Sequence, residues 1–190
     1  MPTLPGREAM REIATKSFGL QEIPEGWEVS LVIDHNESQT LGAKLNRMVA
    51  KSHADLFVLL DDDDWHHPYR VMKQVTPLLS EAAELTGTSE IFYFDRAKRS
   101  AWLYSGSGNW LGGMAFTREL WDRCHFDDVS AGVDTRWQKR SKAKVLDLAN
   151  PALFVAGIHE GNTCRKHTSG AEWSLIPLLQ LPAEFLATNA

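Results

Sequence analysis

Four consecutive aspartates, Asp61–Asp64, follow directly on an apolar run at Leu56–Leu60. Four adjacent carboxylates repel one another and cannot all be buried without partners. If the apolar run is a strand of an open sheet, they stand at its carboxyl end, where such sheets bind ligands. Alternate residues of an extended chain point the same way, so Asp61 and Asp63 can converge on one Mg²⁺ or Mn²⁺ ion. The alternative is an acidic loop or a helix start before Pro68, where carboxylates favour the helix dipole.

The sequence around these aspartates alternates between strand and helix patterns. Strands are predicted at 27–34 and 56–60, and helices at 41–52 and from Pro68 towards Leu85, which is the signature of a parallel sheet. A helix is predicted earlier, at 7–18. Later segments predict short strands at 91–94, 101–104, 110–116, 145–148 and 153–155, helices at 117–123 and 133–142, and a loop at 157–170. We expect one domain over residues 1–190, of α/β class with a mainly parallel central sheet.

The composition is that of a globular chain of 190 residues, with 43% hydrophobic and 24% charged residues. These fractions exclude global disorder, collagen and coiled coil, and no apolar run is long enough to predict a membrane-spanning helix. With only Cys124 and Cys164, a disulfide framework and a four-thiolate zinc site are excluded, and a cytoplasmic location is expected.

The charge is distributed unevenly along the chain. Residues 1–95 carry a net charge of −8, which suits binding of a cation, and residues 96–170 carry one of +5, which suits binding of an anion such as phosphate. Overall acidity argues against a dedicated nucleic-acid binder.

The segment from Asp61 to Arg70 resembles the Asp-x-Asp-Asp…Pro-x-Arg segment of the family 2 glycosyltransferases, which have the GT-A fold. Other segments match the family's motifs in the family's order. They are Pro2-Thr3 with Arg7, Val32–Asp34, Gly42–Asn46, Gly112–Met114 with Arg118–Leu120, Gly132–Asp134 with Arg140, and His159–Thr163. The resemblance spans roughly residues 2–163 and implies a Rossmann-like α/β/α sandwich of the GT-A type.

The resemblance also implies a role for individual residues. Asp134 is implied as the catalytic base. Trp110, Gly112 and Gly113 are implied on the acceptor side, and Asp61, Asp63 and His159 as ligands of Mn²⁺ or Mg²⁺. The residues implied to bind the donor nucleotide are Thr3, Arg7, Asp34, Lys44, Asp61 and Asp62.

Three of these candidates have plainer alternatives. A base must reach the acceptor hydroxyl directly or through one water, and Asp134 is otherwise an acidic residue at a helix start, paired with an arginine. His159 can bind a metal or a diphosphate through neutral imidazole, or it is a surface histidine. Sugars stack on aromatic faces, so Trp110 can line an acceptor subsite, although most tryptophans serve in packing.

The sequence departs from the family pattern in three places. No apolar first strand precedes Pro2, Leu45 stands where a basic residue is usual, and Val133 replaces an acid. Without the first strand the sheet has an exposed edge or gap, and such edges attract other strands. We therefore expect residues 171–190 to pack over the domain or on a second copy, so that a homodimer is possible.

Together these features predict a metal-dependent glycosyltransferase of the hexosyltransferase type with an inverting mechanism. The donor is a nucleotide-diphospho-sugar, with a UDP-sugar favoured, and the acceptor is a hydroxyl of a glycan, lipid carrier, protein or modified DNA base. Two alternatives stay open at this point. One is a nucleotidyltransferase-like enzyme on a similar sheet, and the other is a non-catalytic module that binds a nucleotide-sugar or a protein.

Overall fold

The structure is a computed structural model that describes residues 1–36, 39–106 and 110–189, without the side chain of Asn189. Its helices are α1 (Glu8–Phe18), α2 (Leu41–Lys51), α3 (Arg70–Leu79), α4 (Arg118–Arg123), α5 (Val133–Ser141) and α6 (Ala183–Asn189). Its strands are β1 (Leu56–Val58), β2 (Trp65–His66), β3 (Leu85–Thr88), β4 (Glu90–Asp95), β5 (Ser100–Ser105), β6 (Gly112–Thr117), β7 (Val145–Asp147), β8 (Phe154–Ile158) and β9 (Trp173–Ile176). Short 3-10 helices lie at Pro151–Leu153 and Leu178–Gln180.

The strands form two sheets, one in the order β1-β6-β3-β7 and one in the order β2-β8-β4-β5-β9. Among the described residues, β3 runs parallel to β7 and β4 parallel to β8. The other ladders are antiparallel. The predicted α/β class is therefore confirmed, whereas the parallel character of the sheet is confirmed only in part. The strands β4, β5 and β6 were visible in the sequence, but β3 was not. The predicted helix runs from Pro68 towards Leu85, whereas α3 ends at Leu79 and Leu85 begins β3.

Helices cover both faces of the four-stranded sheet. Successive residues of a strand point to opposite faces, and in β6 the side chain of Phe116 packs in a cluster with α2, α4 and α5. Ala115, its neighbour, packs on the opposite side against Leu78 of α3. Threonines begin two of these helices, since Thr40 accepts a hydrogen bond from the amide of Ala43 in α2 and Thr117 caps α4 in the same way. The result is the predicted α/β/α layering around this sheet.

The predicted strand at 27–34 is wrong as a strand of a sheet. Within the described residues this segment makes a single isolated parallel bridge, between Pro2 and Asp34. Val29 is 43% exposed and Val32 is 41% exposed, although their spacing suits a buried strand. The physical reason is that a strand needs a partner at its edge, and here only residues 1–3 supply one.

The C-terminal segment lies along the five-stranded sheet. β9 pairs antiparallel with β5 from Tyr104 opposite Trp173 to Ala101 opposite Ile176. After it, Phe185 of α6 is 3% exposed and packs on the sheet with its ring against those of Trp65 and Phe94. The C-terminal segment therefore packs on the five-stranded sheet and not beside residues 27–34.

No helix among the described residues is both long and apolar enough to cross a bilayer.

Candidate active site

One cavity of about 400 Å³ gathers most of the predicted site residues. It is bounded by the segment after β1, the start of β6, the end of β8 and the start of α5. The predicted site residues that line it are Thr3, Arg7, Lys44, Asp61, Asp62, Asp63, Trp110, Gly112, Gly113 and Asp134. Asp34 and His159 do not line it.

Asp62 attaches the aspartate segment to the N-terminal residues. Its side chain is 2% exposed and accepts hydrogen bonds from the Thr3 hydroxyl at 2.5 Å and from Arg7 Nη1 at 2.8 Å. Lys44, also buried, donates from Nζ to the carbonyl oxygen of Thr3 at 3.2 Å. These four predicted donor-binding residues therefore fix one another and form one wall of the cavity.

Asp63 faces the loop that follows β8. Its Oδ2 lies 2.9 Å from His159 Nε2, 3.3 Å from Asn162 Nδ2 and 3.6 Å from Arg7 Nη1. The same loop is held from the other side, because Arg7 also donates to the carbonyl oxygen of Gly161. Asp63 and His159, which are 96 residues apart in the sequence, are thus brought into direct contact.

The remaining two aspartates differ in what they face. Asp64 is buried and accepts a hydrogen bond from the amide of Gly157 at 3.1 Å, so it fastens the aspartate segment to β8. Burial raises the pKa of Asp64 well above its usual range. Asp61 is exposed to the cavity. Desolvation by the surrounding protein nevertheless raises the pKa of Asp61 to about 6, and repulsion from Asp63 adds to the rise. The cavity therefore carries negative charge that the protein compensates only in part.

A buried arginine is hydrogen-bonded to the chain just before the aspartate segment. Arg70, 1% exposed, donates to the carbonyl oxygen of Leu59 at 2.7 Å, to Gln74 Oε1 at 3.0 Å and to His66 Nδ1. Burial lowers the pKa of Arg70 to about 10, which leaves the guanidinium charged, and attraction from Asp64 and Asp61 opposes the lowering. Burial also holds the pKa of His66 well below its usual range, so its imidazole is neutral and accepts at Nδ1.

The same network fixes the glycine segment of β6. Gln74 donates from Nε2 to the carbonyl oxygen of Gly113. Gly113 has φ of +58°, and a Cβ at this position would stand 2.6 Å from Phe154 Cε1 and 2.8 Å from Arg70 Nη2. A side chain is therefore excluded there twice over, by backbone conformation and by contact. Arg70 and Gln74 hold the aspartates and the glycine segment at a fixed spacing.

Asp134 lies at the start of α5, where it faces the cavity. Its Oδ2 accepts a hydrogen bond from Trp110 Nε1 at 2.7 Å, and its Oδ1 accepts one from the amide of Thr135 at 2.8 Å. A carboxylate oxygen has a second lone pair, so each oxygen can accept a further hydrogen bond and either one can take the single proton that the carboxylate binds. The contact of Trp110 with Asp134 is an arrangement that the sequence did not predict, since it suggested a stacking surface for Trp110.

Asp34 lies apart from the main cavity, in a neighbouring hollow that it shares with Arg47. Arg47 Nε donates to Asp34 Oδ2 at 2.9 Å, and the amide of Asn36 donates to Oδ1 at the same distance. These contacts hold the pKa of Asp34 below its usual range, against the effect of its partial burial. The nucleotide contact of Asp34 stays a prediction.

Several contacts of the site were not predicted from the sequence, although the residues that make them lie in segments that the sequence singles out. Asn162 bridges Asp63 and the carbonyl oxygen of Gly157, and Arg70 and Gln74 form the buried support. Lys166 lies over the ring of Tyr93 at 5.5 Å, and both line the cavity. In the sequence, Asn162 belongs to the His159–Thr163 motif, Arg70 to the aspartate motif and Lys166 to the predicted loop at 157–170.

The donor atoms of the site fit a hard divalent cation. Asp61 and Asp63 offer carboxylate oxygens, and His159 lies in contact with Asp63. Loss of solvent is the main cause of the raised pKa of Asp61, and a cation would relieve the repulsion from Asp63 that adds to it. Within the three described stretches of chain, no group of three or more His, Cys, Asp or Glu side chains is already drawn together as a ligand set.

The sequence matches the family model described as Glycosyl transferase family 2 over residues 18–133. No curated protein matches this sequence. The matched range includes the aspartate segment, the glycine segment of β6 and the residue before Asp134. It therefore covers more than half of the chain and most of the cavity wall.

Solved structures of S. aureus TarS are similar in fold. TarS 1-349 in complex with UDP aligns with a TM-score of 0.60 at 11% identity, covering 83% of this chain and 59% of that chain. The complex with UDP-GlcNAc aligns with a TM-score of 0.61 at 13% identity, covering 85% and 58%, respectively. This chain thus spans less than two thirds of the TarS fragment that it matches. At these identities the likeness is one of fold alone.

Proposed function

This chain belongs to glycosyl transferase family 2, and on that premise we propose that it transfers a sugar from a nucleotide-diphospho-sugar to a hydroxyl acceptor. The observation that carries the proposal is the joint placement of two kinds of carboxylate in one cavity. Asp61 and Asp63 stand at the end of β1, and Asp134 stands at the start of α5. They are close enough for Asp134 to add to the rise in the pKa of Asp61.

The donor end of the cavity has the chemistry that a nucleoside diphosphate needs. The aspartates can recruit a cation, while Lys166 and Arg7 present positive charge at the same cavity. Structures of TarS hold UDP and UDP-GlcNAc, which supports a UDP-sugar as the donor of this chain. The diphosphate would then lie between the aspartate segment and the loop at 157–170.

We assign Asp134 to the acceptor. The acceptor oxygen attacks the anomeric carbon, the bond from that carbon to the diphosphate oxygen breaks, and UDP leaves with the bonding electron pair. Asp134 takes the proton of the acceptor hydroxyl as the new bond forms. The hydrogen bonds from Trp110 and Thr135 hold the carboxylate in one orientation during this transfer. A single displacement of this kind inverts the configuration at the anomeric carbon.

Asp61, Asp63 and His159 are the residues that would hold a divalent cation. When bound, Mn²⁺ or Mg²⁺ supplies electrostatic stabilisation of the charge that develops on the leaving diphosphate. Asn162 and Arg7 orient Asp63 towards that role.

The proposal is tested by measuring the thermal stability of the protein with UDP, UDP-GlcNAc and UDP-glucose, each in Mn²⁺ and in EDTA. A ligand that binds only the folded state raises Tm, by an amount that grows with the ratio of its concentration to Kd. We expect UDP compounds to raise Tm in Mn²⁺ and to lose this effect in EDTA, with ADP-glucose as the control donor. No shift with any nucleotide-sugar would contradict the proposed function, and an equal shift in EDTA would contradict its metal dependence.

A further inference from the structure

Tyr93 of β4 is a buried tyrosine in the wall of the candidate active-site cavity. The residue is 4% exposed. Its ring lies against that of Trp173, with ring centroids 4.7 Å apart, and Lys166 Nζ lies 5.5 Å from the centroid of the Tyr93 ring. These contacts fix the position of the ring, but they do not involve the hydroxyl.

The hydroxyl of Tyr93 is open to the cavity. It makes no hydrogen bond within residues 1–36, 39–106 and 110–189. Every fully enclosed side-chain nitrogen or oxygen atom in those stretches does have a partner, so the hydroxyl is not fully enclosed. Because the rest of the residue is almost wholly buried, the hydroxyl meets solvent where Tyr93 lines the cavity. An unpaired phenol hydroxyl at that place is available to a ligand.

The backbone of Tyr93 connects it to the aspartate end of the cavity. In the parallel ladder of β4 and β8, Tyr93 lies opposite Ala156, which lines the same cavity. The residue after Ala156 is Gly157, which donates its amide to the carboxylate of Asp64 at 3.1 Å. Tyr93 therefore lies next to the segment at which we place the diphosphate.

The ring of Tyr93 connects it to the acceptor end of the cavity. It packs edge-on against the ring of Tyr104, with centroids 6.5 Å apart, and Tyr104 packs in the same way against Trp110 at 5.8 Å. Trp110 Nε1 in turn donates to the carboxylate of Asp134. Two ring contacts and one hydrogen bond thus join Tyr93 to the proposed base.

The carboxylates of the site influence Tyr93 from both ends. Burial raises the pKa of Tyr93 above its usual range, and the charges of Asp64, Asp61 and Asp134 add to the rise. The hydroxyl therefore keeps its proton at neutral pH and can donate a hydrogen bond, whereas an ionised carboxylate can only accept one. A ligand hydroxyl suits both neighbours, because it can accept from Tyr93 and donate to a carboxylate.

The transferred sugar must lie between these two ends of the cavity. Its anomeric carbon is bonded to the diphosphate at the aspartate end and is attacked by the oxygen that Asp134 deprotonates. We propose that the Tyr93 hydroxyl binds this sugar by donating a hydrogen bond to one of its hydroxyl groups, which makes Tyr93 a determinant of donor specificity. The inference rests on the proposed function, since the direction of that reaction places the sugar beside Tyr93.

Tyr93→Phe tests this contact, because it removes the hydroxyl and keeps the ring. In Mn²⁺ we expect the variant to bind UDP as tightly as the unmodified protein does. It should bind UDP-GlcNAc and UDP-glucose about 3–10-fold more weakly, the net value of one hydrogen bond. Tyr69→Phe is the matched control, since Tyr69 is 47% exposed and does not line the cavity, and it should leave all three Kd values unchanged.

Melting of the ligand-free proteins separates this role from a structural one. The Tyr93 hydroxyl has no partner in the described protein to lose, so the Tm of Tyr93→Phe should equal or exceed that of the unmodified protein. Loss of a structural hydrogen bond would instead lower Tm by about 2–4 °C in a chain of this length. A fall of that size would overturn the proposal.

Deoxy analogues of the donor identify the sugar hydroxyl that Tyr93 contacts. UDP-glucose and its analogues without the hydroxyl at carbon 3, 4 or 6 are titrated against both proteins. With the unmodified protein, one analogue should lose at least as much affinity as Tyr93→Phe loses for UDP-glucose. The losses from that analogue and from Tyr93→Phe should not add, because both changes remove the same hydrogen bond.

Four results would overturn the proposal. They are equal affinity of Tyr93→Phe and the unmodified protein for the UDP-sugars, additive losses for all three analogues, a weaker Kd of Tyr93→Phe for UDP itself, and a weaker Kd of Tyr69→Phe that matches that of Tyr93→Phe. The first two leave the proposed function intact, since the unmodified protein still binds its donor. If neither UDP-sugar binds the unmodified protein, the proposed function fails, and this inference fails with it.

Discussion

Replacing Asp134 by asparagine is expected to lower the rate of sugar transfer by about 10²–10⁴-fold, the usual contribution of a general base. Asparagine has nearly the same shape and can still accept the hydrogen bond from Trp110 Nε1, which lies 2.7 Å from Asp134 Oδ2. It cannot take a proton. Donor affinity should stay nearly unchanged, because the donor is held at the aspartate segment. The measurement is the transfer rate and the Kd for UDP in the same preparation.

Asp122→Asn is the matched control for this substitution. Asp122 is exposed on α4 and does not line the cavity, so its rate should equal that of the unmodified protein. A wild-type rate for Asp134→Asn would show that Asp134 is not the base. A weakened UDP affinity in that variant would place Asp134 on the donor and not on the acceptor.

Replacing Asp63 by asparagine is expected to lower turnover by about 10²–10³-fold, the range found when one stabilising group for a developing negative charge is removed. Unlike Asp134→Asn, this change should also weaken UDP binding in Mn²⁺. The reason is position, since Asp63 lies beside His159 and Asn162 at the donor end of the cavity. The measurement is the Kd for UDP in Mn²⁺ and in EDTA for both proteins.

In EDTA the two proteins should bind UDP equally weakly, because the lost carboxylate acts through the cation. Melting curves of the ligand-free proteins verify that Asp63→Asn remains folded. If UDP binds to Asp63→Asn as tightly as to the unmodified protein in Mn²⁺, Asp63 is not a metal ligand for the donor.

The sequence predicted local features of this molecule well and pairings between distant segments poorly. The strands β4 and β5 and the helices α2 and α4 were predicted from local residue patterns, and they lie where expected. The structure adds the threonines that cap the two helices, Thr40 and Thr117. The strand at 27–34 failed because a strand depends on a partner, and hydrophobic spacing does not reveal whether one is present. The same limit hid β3, which pairs with β6 and β7.

The site shows the same division. The aspartate run, the paired glycines and Asp134 stand out as residue types, and the structure brings them to one cavity. What each aspartate contacts was not visible, since Asp62 meets Thr3 and Arg7 while Asp64 meets the amide of Gly157. Arg70 ends the aspartate motif in the sequence, but only the fold shows that it is buried and that it connects the strand end with Gln74 and the glycine segment.

The central claim is that the bond broken in the donor is the one between the sugar and the diphosphate. Water replaces the unknown acceptor when the protein is incubated with UDP-GlcNAc and Mn²⁺ in ¹⁸O-labelled water, and the products are identified by mass spectrometry, with Asp63→Asn as the blank. We predict free N-acetylglucosamine together with UDP that carries no label, above the level of the blank, because attack of water at the phosphorus would place the label in UDP. UMP together with N-acetylglucosamine 1-phosphate, which requires cleavage between the two phosphates, would contradict sugar transfer and indicate nucleotidyl transfer instead.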